Sequence, residues 1–309
     1  MTPPKNQKLF TIGRRCGRLA NRLIIFANFI ALAEEQGDRV INYTFHSYSD
    51  LFEATRENIH CAYPVPKRKS WLDTVPGVGA AIRKTRIFYH LTRYASQLNE
   101  RLPIFGKVVV TLRELEGQFI TYLDSLEVQE KIRPAKIVFV YDWLFRAPKL
   151  VQKHGQKIRA YFRPLAALEA ASRDAVEPLR RHADIVIGVH VRHGDYRGWK
   201  GGKYFYPVER YAAWMRDLAA QFPQRKVSFL VCSDERRQAD EFPGLVVGFG
   251  TKSPVSDVFA LSLCDYILGP KSTFSQWASF YGEKPLLHLL DSNTSVKVEN
   301  FRVSYLDWD

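Results

Sequence analysis

The sequence predicts an α/β protein with two facing Rossmann-like units, and three observations support that fold class. Short, β-branched apolar runs alternate strictly with helical patterns between residues 185 and 289, which is typical of a doubly wound parallel sheet. A strand–loop–helix–strand pattern also opens the chain. The 309 residues, 46% hydrophobic and 25% charged, are enough for two ordinary globular domains. We therefore predict an N-terminal α/β domain over residues 1–165 and a C-terminal Rossmann-like domain over 166–309, with a ligand cleft between them.

The opening pattern consists of a short strand, a Gly/Arg-rich loop, a helix and a second strand. Residues 9–12 are apolar, residues 13–18 form the loop, and residues 19–35 have the spacing of an apolar helix. Gly37 is placed to stop that helix, and residues 40–43 resume as a strand.

The middle of the chain has weaker patterns. They predict a helix over residues 82–102, short strands over 108–111 and 137–141, and a long helix over 165–181.

The C-terminal part has the strongest signal, since residues 185–191 (IVIGVHV) are almost continuously apolar, as in a strand buried on both faces. Strands and helices then follow in turn. The predicted elements are a helix over 208–221, a strand over 227–232, a helix near 236–241, a strand near 245–247, a helix over 256–263, a strand over 266–269, a helix over 273–280 and a strand over 285–289.

Composition and targeting signals favour a cytoplasmic protein. The longest apolar stretch, residues 23–33, is too short to span a bilayer and contains Asn28. Residues 1–8 lack the apolar core of a signal peptide. The four cysteines lie far apart, without the spacing of a metal site, so we expect reduced thiols and no metal ligands.

The net charge of +13 is carried entirely by the N-terminal half, because residues 1–165 hold 27 Lys/Arg against 14 Asp/Glu and the rest hold 18 against 18. The densest region is residues 67–113. Such a field could steer phosphate-bearing substrates, hold the protein at the inner face of an anionic membrane, or be a solvated basic face. No nucleic-acid recognition module is present in the sequence, so nucleic acid is not an expected partner.

Polar residues follow three of the predicted strands of the C-terminal domain, where an open parallel sheet binds its ligands. Arg192 and Asp195 come after the first strand, and Asp234 follows the second. Ser272, Thr273 and Ser275 open a helix after a third strand, where hydroxyls and free N–H groups bind anions. Arg192 offers a bidentate fork to phosphate oxygens. Together these residues predict a pyrophosphate pocket.

Each of these residues also has a purely structural interpretation. Asp195 could cap or turn its loop, Asp234 could pin a backbone turn, and Ser272 and Thr273 could be ordinary helix N-caps. His190 could be a hydrogen-bonded core histidine. Their shared location at successive strand ends favours the functional interpretation.

Four segments resemble the α-1,2-fucosyltransferases. Residues 190–196 (HVRHGDY) are similar to the family's HxRRGDY segment, and residues 17–22 (GRLANR) resemble its Gly-x-x-Gly-Asn-Gln loop. Residues 229–235 (FLVCSDE) resemble its strand ending in Ser-Asp. Residues 257–277 resemble its segment ending in Ser-Ser/Thr-Phe-Ser-Trp-Trp. The likeness is dense over residues 12–43 and 185–290.

The resemblance implies a GT-B-like, inverting, metal-independent enzyme that transfers fucose from GDP-fucose to a hydroxyl of a glycan acceptor and needs no cofactor. It implies that Arg192 contacts the β-phosphate, while Asn21 and Arg18 face the donor from the N-terminal domain, which is the predicted acceptor side. The candidate catalytic residues are Arg192, Asp195, Asn21 and Arg18. The candidate donor-binding residues are His190 and Asp257 near the guanine nucleoside, Asp234, Ser272, Thr273, Ser275 and Gly17.

Three alternatives remain open at this point. The donor could be another nucleotide sugar, or the protein could bind the nucleotide without transferring a sugar. Residues 192–194 (RHG) also match the histidine phosphatases, in which the histidine is phosphorylated. That interpretation is unfavourable because the triplet lies late in the chain and the only later histidine, His288, falls within a predicted apolar strand.

Overall fold

The protein is described from a computed structural model that covers residues 7–75, 77–102, 105–251 and 253–307. The chain forms two compact α/β units, each with its own parallel sheet. Unit 1 comprises the described residues through Leu165 together with Leu306 and Asp307, and unit 2 comprises Ala166–Tyr305. The last residues therefore belong with unit 1, whereas the sequence placed them in the C-terminal domain.

Unit 1 contains a four-stranded sheet of order β2-β1-β5-β3 and a two-stranded sheet of β4 and β6, all parallel. Its elements are β1 (Leu9–Ile12), α1 (Leu19–Gln36), β2 (Arg39–Asn42), α2 (Glu53–Arg56), α3 (Trp71–Thr74), α4 (Val78–Thr85), α5 (Ile87–Arg101), β3 (Val109–Leu112), β4 (Thr121–Tyr122), α6 (Leu126–Ile132), β5 (Ile137–Val140), β6 (Phe145–Arg146), α7 (Pro148–Lys153) and α8 (Gly155–Tyr161).

The predicted opening pattern is present in unit 1, with α1 buried on nearly every side. Gly37 ends α1 in the left-handed region at φ 73°, and its N–H bonds to the Ala33 carbonyl. Asn28, which interrupts the apolar run, is fully buried and satisfied: its amide nitrogen donates to the Ile24 carbonyl, and its oxygen accepts from the Ala147 N–H at 2.6 Å. The polar side chain thus joins α1 to the start of α7.

The predicted helix over residues 82–102 is wrong in its bounds, because the structure has two helices there. The break is at Arg86, which adopts a left-handed conformation at φ 56° and ends α4 one residue before α5 begins. The short strands β4 and β6 and the helices α2, α3, α6, α7 and α8 were not predicted.

Unit 2 contains one five-stranded parallel sheet of order β11-β10-β7-β8-β9. Its elements are α9 (Ala166–Arg180), β7 (Ile185–Val191), α10 (Val208–Ala219), β8 (Val227–Ser233), β9 (Val247–Phe249), α11 (Pro254–Ser262), β10 (Tyr266–Pro270), α12 (Thr273–Gly282) and β11 (Leu286–Leu289). Counted within the unit, this is the strand order of a Rossmann sheet, in which the first and fourth strands lie side by side.

Strand β7 is the centre of unit 2, and all seven of its residues are buried. The odd-numbered residues, among them Ile187 and Val189, pack into an apolar core with Trp214 and Met215 of α10. The even-numbered residues face the other layer, where a Cβ on Gly188 would lie 2.7 Å from Leu261 of α11. Burial on both faces explains the almost continuous apolar run.

Two further predictions for unit 2 need correction. The strand predicted near residues 245–247 is Val247–Phe249, because the chain after the turn at Gly244 joins β8 only from Val247. The helix predicted near 236–241 is a single 3₁₀ turn, Ala239–Glu241, where Gln238 and Glu241 form a reciprocal capping box.

Candidate functional site

The carboxyl ends of β7 and β10 form the natural ligand site of unit 2. These strands are adjacent in the sheet, but their following connections diverge, since β7 leads to β8 on one side and β10 leads to β11 on the other. Such a switch point leaves a crevice at the strand ends, where Rossmann sheets bind nucleotides. The predicted residue Arg192 follows β7 directly, and Ser272 lies two residues beyond the end of β10.

Arg192 is held in place by two carboxylates. Its Nη2 lies 2.5 Å from Asp195 Oδ1, and its Nη1 lies 3.3 Å from Asp234 Oδ2. The side chain is only 17% exposed, so the guanidinium fork is fixed and partly screened from water. All three residues were predicted for the site, and the structure brings them together.

Asp234 is also tied to the backbone of the loop after β7. Its Oδ1 accepts a hydrogen bond from the His193 N–H at 2.9 Å. A Cβ on Gly194 would lie 2.6 Å from Asp234 Oδ2, so only glycine allows this close approach. Asp234 therefore fixes both the loop after β7 and the Arg192 side chain. Its structural interpretation, that it pins a backbone turn, is compatible with its contact to Arg192.

His193 is a structural residue. It is 3% exposed, its Nε2 lies 2.7 Å from the Tyr206 carbonyl, and its Nδ1 lies 2.6 Å from Nη2 of Arg237. Because arginine can only donate, Nδ1 is the acceptor and Nε2 carries the proton. Both ring nitrogens are engaged in the interior, so neither is available as a phosphate-accepting nucleophile, which argues against the phosphatase alternative.

Arg237 was not singled out from the sequence. Besides His193 it bonds Glu235 Oε2 at 2.7 Å and Glu241 Oε1 at 3.0 Å. Glu235 in turn pairs with Arg197 at 2.9 Å. Arg237 stabilises the loop that carries Arg192 through its contact with His193, and Arg197 lies at the exposed edge of the network.

Tyr196, the last residue of the HxRxGDY-like segment, connects the β7 loop to the start of α12. Its hydroxyl donates to the Lys271 carbonyl at 2.8 Å and also bonds to Ser272. The guanidinium of Arg192 lies 5.7 Å from its ring centroid. Tyr196 ends the segment 189–196 that was predicted to hold the pyrophosphate, but no individual role was predicted for it; its side chain couples the arginine to the helix N-terminus.

The N-terminus of α12 has the predicted form of an anion site. Ser272 is its N-cap, and its hydroxyl accepts from the Phe274 N–H at 3.2 Å. Thr273 is the first helical residue. The structural interpretation of Ser272 as a cap is therefore correct, and the ten-residue helix directs its dipole toward the crevice as well.

His190 is buried and bonds to Ser275 through Nδ1 at 2.9 Å, with its ring centroid 4.8 Å from that of Phe274. Burial, reinforced by the charge of Arg192 and by His288, lowers its pKa to about 3. A neutral imidazole therefore joins β7 to α12. A Cβ on Gly269 would lie 2.9 Å from the Cβ of His190, so glycine is required there for β10 to lie against β7.

Asp257 lies on α11 near the end of β9. Its Oδ1 accepts from the Thr251 N–H at 2.5 Å and from the Thr251 hydroxyl at 2.8 Å, and burial raises the pKa of its carboxyl. A Cβ on Gly250 would lie 2.6 Å from the same oxygen. Asp257 thus organises the loop after β9, and its predicted place near the nucleoside stays a prediction.

The other predicted residues lie in unit 1. Gly17, at φ 44°, precedes α1, and a Cβ there would lie 1.9 Å from Asn21 Nδ2, so the loop requires glycine. Arg18 is the exposed N-cap of α1. The roles of Arg18 and Asn21 toward the donor stay predictions.

Unit 1 has a cavity of about 240 Å³ at the ends of its own adjacent strands β1 and β5. It is lined by Gly13, Arg14, Arg15, Tyr89, Arg93 and Tyr141. Arg14 is paired with Asp142 at 2.7 Å. Arg15 and Arg93 have no ion-pair partner in the part of the chain that the structure describes. The cavity combines cations with aromatic rings and was not predicted from the sequence.

Two buried arginines of unit 1 lie close to the loop of residues 13–18, which precedes α1. Arg22 donates to the carbonyls of Thr44 and Gly17, and Arg146 donates to those of Trp143 and Phe145. Nε of each, and Nη2 of Arg146, have no hydrogen-bond partner. Burial lowers the pKa of both, that of Arg146 to about 10.

The described residues contain neither a cluster of metal ligands nor a disulfide bond. Within residues 7–75, 77–102, 105–251 and 253–307, no group of three or more His, Cys, Asp or Glu side chains could hold a metal ion. The four cysteines are free and buried. Burial raises the pKa of the Cys16 thiol to about 11, as expected of an unreactive packing residue. No helix in the described part of the chain has the length and apolarity of a membrane span.

Residues 165–302 match the family described as glycosyl transferase family 11. The match covers most of unit 2 and includes Arg192, Asp234 and Ser272. It supports the prediction of a glycosyltransferase. Comparison with curated protein sequences gives no match.

Three solved structures share the fold. A variant of Arabidopsis thaliana FUT1 in complex with GDP has a TM-score of 0.56 at 16% identity, covering 97% of this chain and 74% of its own. NodZ α-1,6-fucosyltransferase co-crystallised with GDP has a TM-score of 0.52 at 18% identity, covering 92% and 95%. POFUT1 in complex with GDP has a TM-score of 0.51 at 10% identity, covering 92% and 96%. These likenesses confirm the predicted α/β fold with parallel sheets.

Proposed function

We propose that this protein is an inverting, metal-independent fucosyltransferase that transfers fucose from GDP-fucose to a hydroxyl of a glycan. Unit 2 binds the donor at the switch point between β7 and β10. The match to glycosyl transferase family 11 and the likeness to fucosyltransferases solved with GDP support this donor.

One observation carries the proposal: Arg192 and the N-terminus of α12 are linked through Tyr196 at the switch point. The arginine fork and the helix N-terminus are both suited to phosphate oxygens. Asp195 and Asp234 hold the fork in place before any ligand arrives. This prearrangement is what a departing diphosphate requires.

In the proposed mechanism the bond between the sugar and the β-phosphate breaks as the acceptor oxygen approaches from the opposite face of the sugar. Negative charge grows on GDP, and the fixed guanidinium of Arg192 stabilises it without reorganising. The reacting sugar carries oxocarbenium character, so positioning and charge compensation supply most of the catalysis. Asp195 and Asp234 act through Arg192 as positioning residues.

The donor assignment is tested by thermal shift with GDP, UDP, ADP and their sugars. A ligand present at about 100 times its Kd stabilises the native state by about 2.7 kcal/mol. We expect GDP and GDP-fucose to raise Tm clearly more than the UDP and ADP compounds. Equal Tm shifts with UDP-sugars would favour the alternative of another nucleotide sugar. If GDP raises Tm but no acceptor in a screen leads to release of GDP from GDP-fucose, the alternative of a binding protein would be favoured.

Metal independence is tested by removing divalent ions. Arg192 and the α12 N-terminus supply the positive charge that a metal provides elsewhere, so turnover should be unchanged in EDTA. Loss of turnover that Mg²⁺ or Mn²⁺ restores would contradict this part of the proposal.

We assign the acceptor to unit 1, whose cavity at the ends of β1 and β5 offers tyrosines for a sugar face and arginines for polar groups. The double substitution Arg15→Ala and Arg93→Ala should raise the acceptor KM while leaving the GDP thermal shift unchanged. The matched control is Arg56→Ala and Arg133→Ala, two exposed arginines of unit 1 outside the cavity. An acceptor KM that does not respond would place the acceptor elsewhere.

A further inference from the structure

Helix α5 (Ile87–Arg101) exposes its apolar side. Its buried residues are Thr92 and Ser96, both small and polar. The large apolar residues Ile87, Leu91, Tyr94 and Leu98 are between 40% and 67% exposed. Their spacing of four, three and four residues places them in one stripe along the helix. Leu102 and Phe105, just beyond the helix, are more than half exposed as well.

The orientation of α5 is fixed by specific contacts on its other side. The Thr111 hydroxyl of β3 donates to the Ser96 carbonyl at 3.5 Å, and Asn99 Nδ2 donates to the Val109 carbonyl at 3.3 Å. The Gln97 amide donates to the Tyr141 hydroxyl at 3.2 Å. These hydrogen bonds hold the stripe outward, so the apolar surface is a property of the folded unit.

Positive charge surrounds the stripe. Residues 83–107 contain six Lys/Arg and one acidic residue, Glu100, which is itself paired with Arg113. Just before α5, Lys84 is exposed in the last turn of α4 and Arg86 is exposed between the two helices, while Arg101 is exposed at the end of α5. A second copy of the same surface would bring like charges together, which is unfavourable. An anionic surface complements both the charges and the apolar stripe.

We propose that α5 docks unit 1 on an anionic membrane, lying in the interfacial plane with Ile87, Leu91, Tyr94 and Leu98 among the acyl chains. Lys84, Arg86 and Arg101 then contact the lipid headgroups. A 15-residue helix with an apolar face and basic flanks is suited to lie in an interface. The proposal assigns a specific surface to the membrane contact considered for the basic half of the chain.

The experiment is co-sedimentation of the full-length protein with vesicles of phosphatidylglycerol and phosphatidylcholine, compared with phosphatidylcholine alone. We expect binding to the mixed vesicles and at least about tenfold weaker binding to the neutral ones, since each basic residue near an anionic surface contributes about fivefold. The double substitution Leu91→Ser and Leu98→Ser should weaken binding to the mixed vesicles at least about tenfold. Lys84→Gln with Arg101→Gln should weaken it about fivefold per residue.

Matched controls separate the surface from general effects. Leu126 and Leu290 are exposed leucines elsewhere, so Leu126→Ser with Leu290→Ser should bind like the wild type, as should Arg56→Gln with Arg133→Gln. Circular dichroism melting confirms that each variant folds. No binding to mixed vesicles, equal binding to neutral vesicles, or unchanged binding of the Leu91/Leu98 variant would overturn the proposal. A dimer that dissociates in that variant without vesicle binding would also overturn it and would assign the stripe to self-association.

Discussion

The buried arginines of the two units differ in the partners of their guanidinium groups. In unit 2 the partly buried Arg192 and Arg237 each contact two carboxylates. In unit 1 the fully buried Arg146 bonds only to carbonyl oxygens and leaves two of its nitrogens without a partner. No carboxylate lies within ion-pair distance of Arg146 in the described part of the chain. In unit 2 each of these cations contacts carboxylates directly, whereas in unit 1 the charge of Arg146 is offset at longer range by carboxylates such as Asp307 and Glu114.

The two kinds of buried arginine have different consequences for catalysis and for stability. A guanidinium fixed by carboxylates can receive a diphosphate without moving, which favours catalysis. A buried guanidinium without a carboxylate in direct contact costs stability, as its lowered pKa indicates. We therefore expect substitution of Arg192 in unit 2 to lower kcat. We also expect substitution of a buried arginine to change the free energy of unfolding by different amounts in the two units.

The largest expected effect follows from Arg192→Ala. The substitution removes the fork from the departing GDP and leaves Asp195 and Asp234 to repel it. We expect kcat, measured by GDP release, to fall about 100-fold, as for loss of one preorganised oxyanion donor. Arg192→Lys should recover little, because an ammonium does not reproduce the planar fork.

Arg197→Ala is the matched control for that substitution. Arg197 lies in the same loop but is 56% exposed and bonds only to Glu235 among the carboxylates, so turnover should stay near that of the wild type. A near-normal kcat for folded Arg192→Ala would refute the central assignment.

The next effect contrasts Arg237→Met with Arg146→Met. Removing Arg237 leaves Glu235, Glu241 and the buried His193 Nδ1 without their shared donor, and the free energy of unfolding should fall by about 2 kcal/mol, since the carboxylates are partly exposed. Removing Arg146 eliminates a buried charge that has no carboxylate in direct contact, which offsets the loss of two hydrogen bonds, so the change should stay within about 1 kcal/mol of zero.

Urea unfolding of both variants measures these changes. Hydrogen exchange followed by mass spectrometry then assigns each change to its unit. Equal losses in the free energy of unfolding of the two variants would show that the different partners of Arg237 and Arg146 do not affect stability.

The sequence predicted the fold best where burial leaves a strong pattern. Strand β7 and helix α1 were predicted closely because both are apolar on nearly every side. Apart from β5, the short elements around residues 53–75 and 121–161 were missed, because helices of four to seven residues and strands of two carry little periodicity. Helix α5 was predicted in type, but a hydrophobic pattern assigns its apolar face to the core and the structure exposes it.

The sequence predicted those site residues that lie shortly after the ends of strands. Arg192, Asp195 and Asp234 were identified because each lies within four residues of the end of a strand. Arg237 was missed because its role depends on His193, 44 residues away, and Tyr196 because its hydroxyl acts at Lys271. Such contacts are set by tertiary packing, which one sequence does not reveal.

The smallest expected effect is a pH dependence of stability carried by His190. Its pKa is near 3 in the folded protein against an ordinary value of 6.5, so the unfolded chain binds the proton more readily. The stabilisation is therefore fully present above about pH 6.5 and is lost as the pH falls toward 3. Between pH 6.5 and 5.5 this residue alone should lower the free energy of unfolding by about 1 kcal/mol. The window stays above the ordinary pKa values of Asp and Glu, and the carboxyl of Asp257 is the one in this site whose pKa burial raises.

Other histidines contribute to the same slope, so a single-site variant is needed to isolate His190. Burial also lowers the pKa of His288 in unit 2 and of His46 in unit 1 to about 4, and it lowers that of His60. His190→Gln should remove about 1 kcal/mol of the change between pH 6.5 and 5.5, and the loss should appear in the hydrogen exchange of unit 2. His182→Gln, at an exposed position of the same unit, should leave the slope unchanged. An unaltered slope in His190→Gln would show that a proton reaches this histidine without unfolding unit 2, and the neutral link between β7 and α12 would then be wrong.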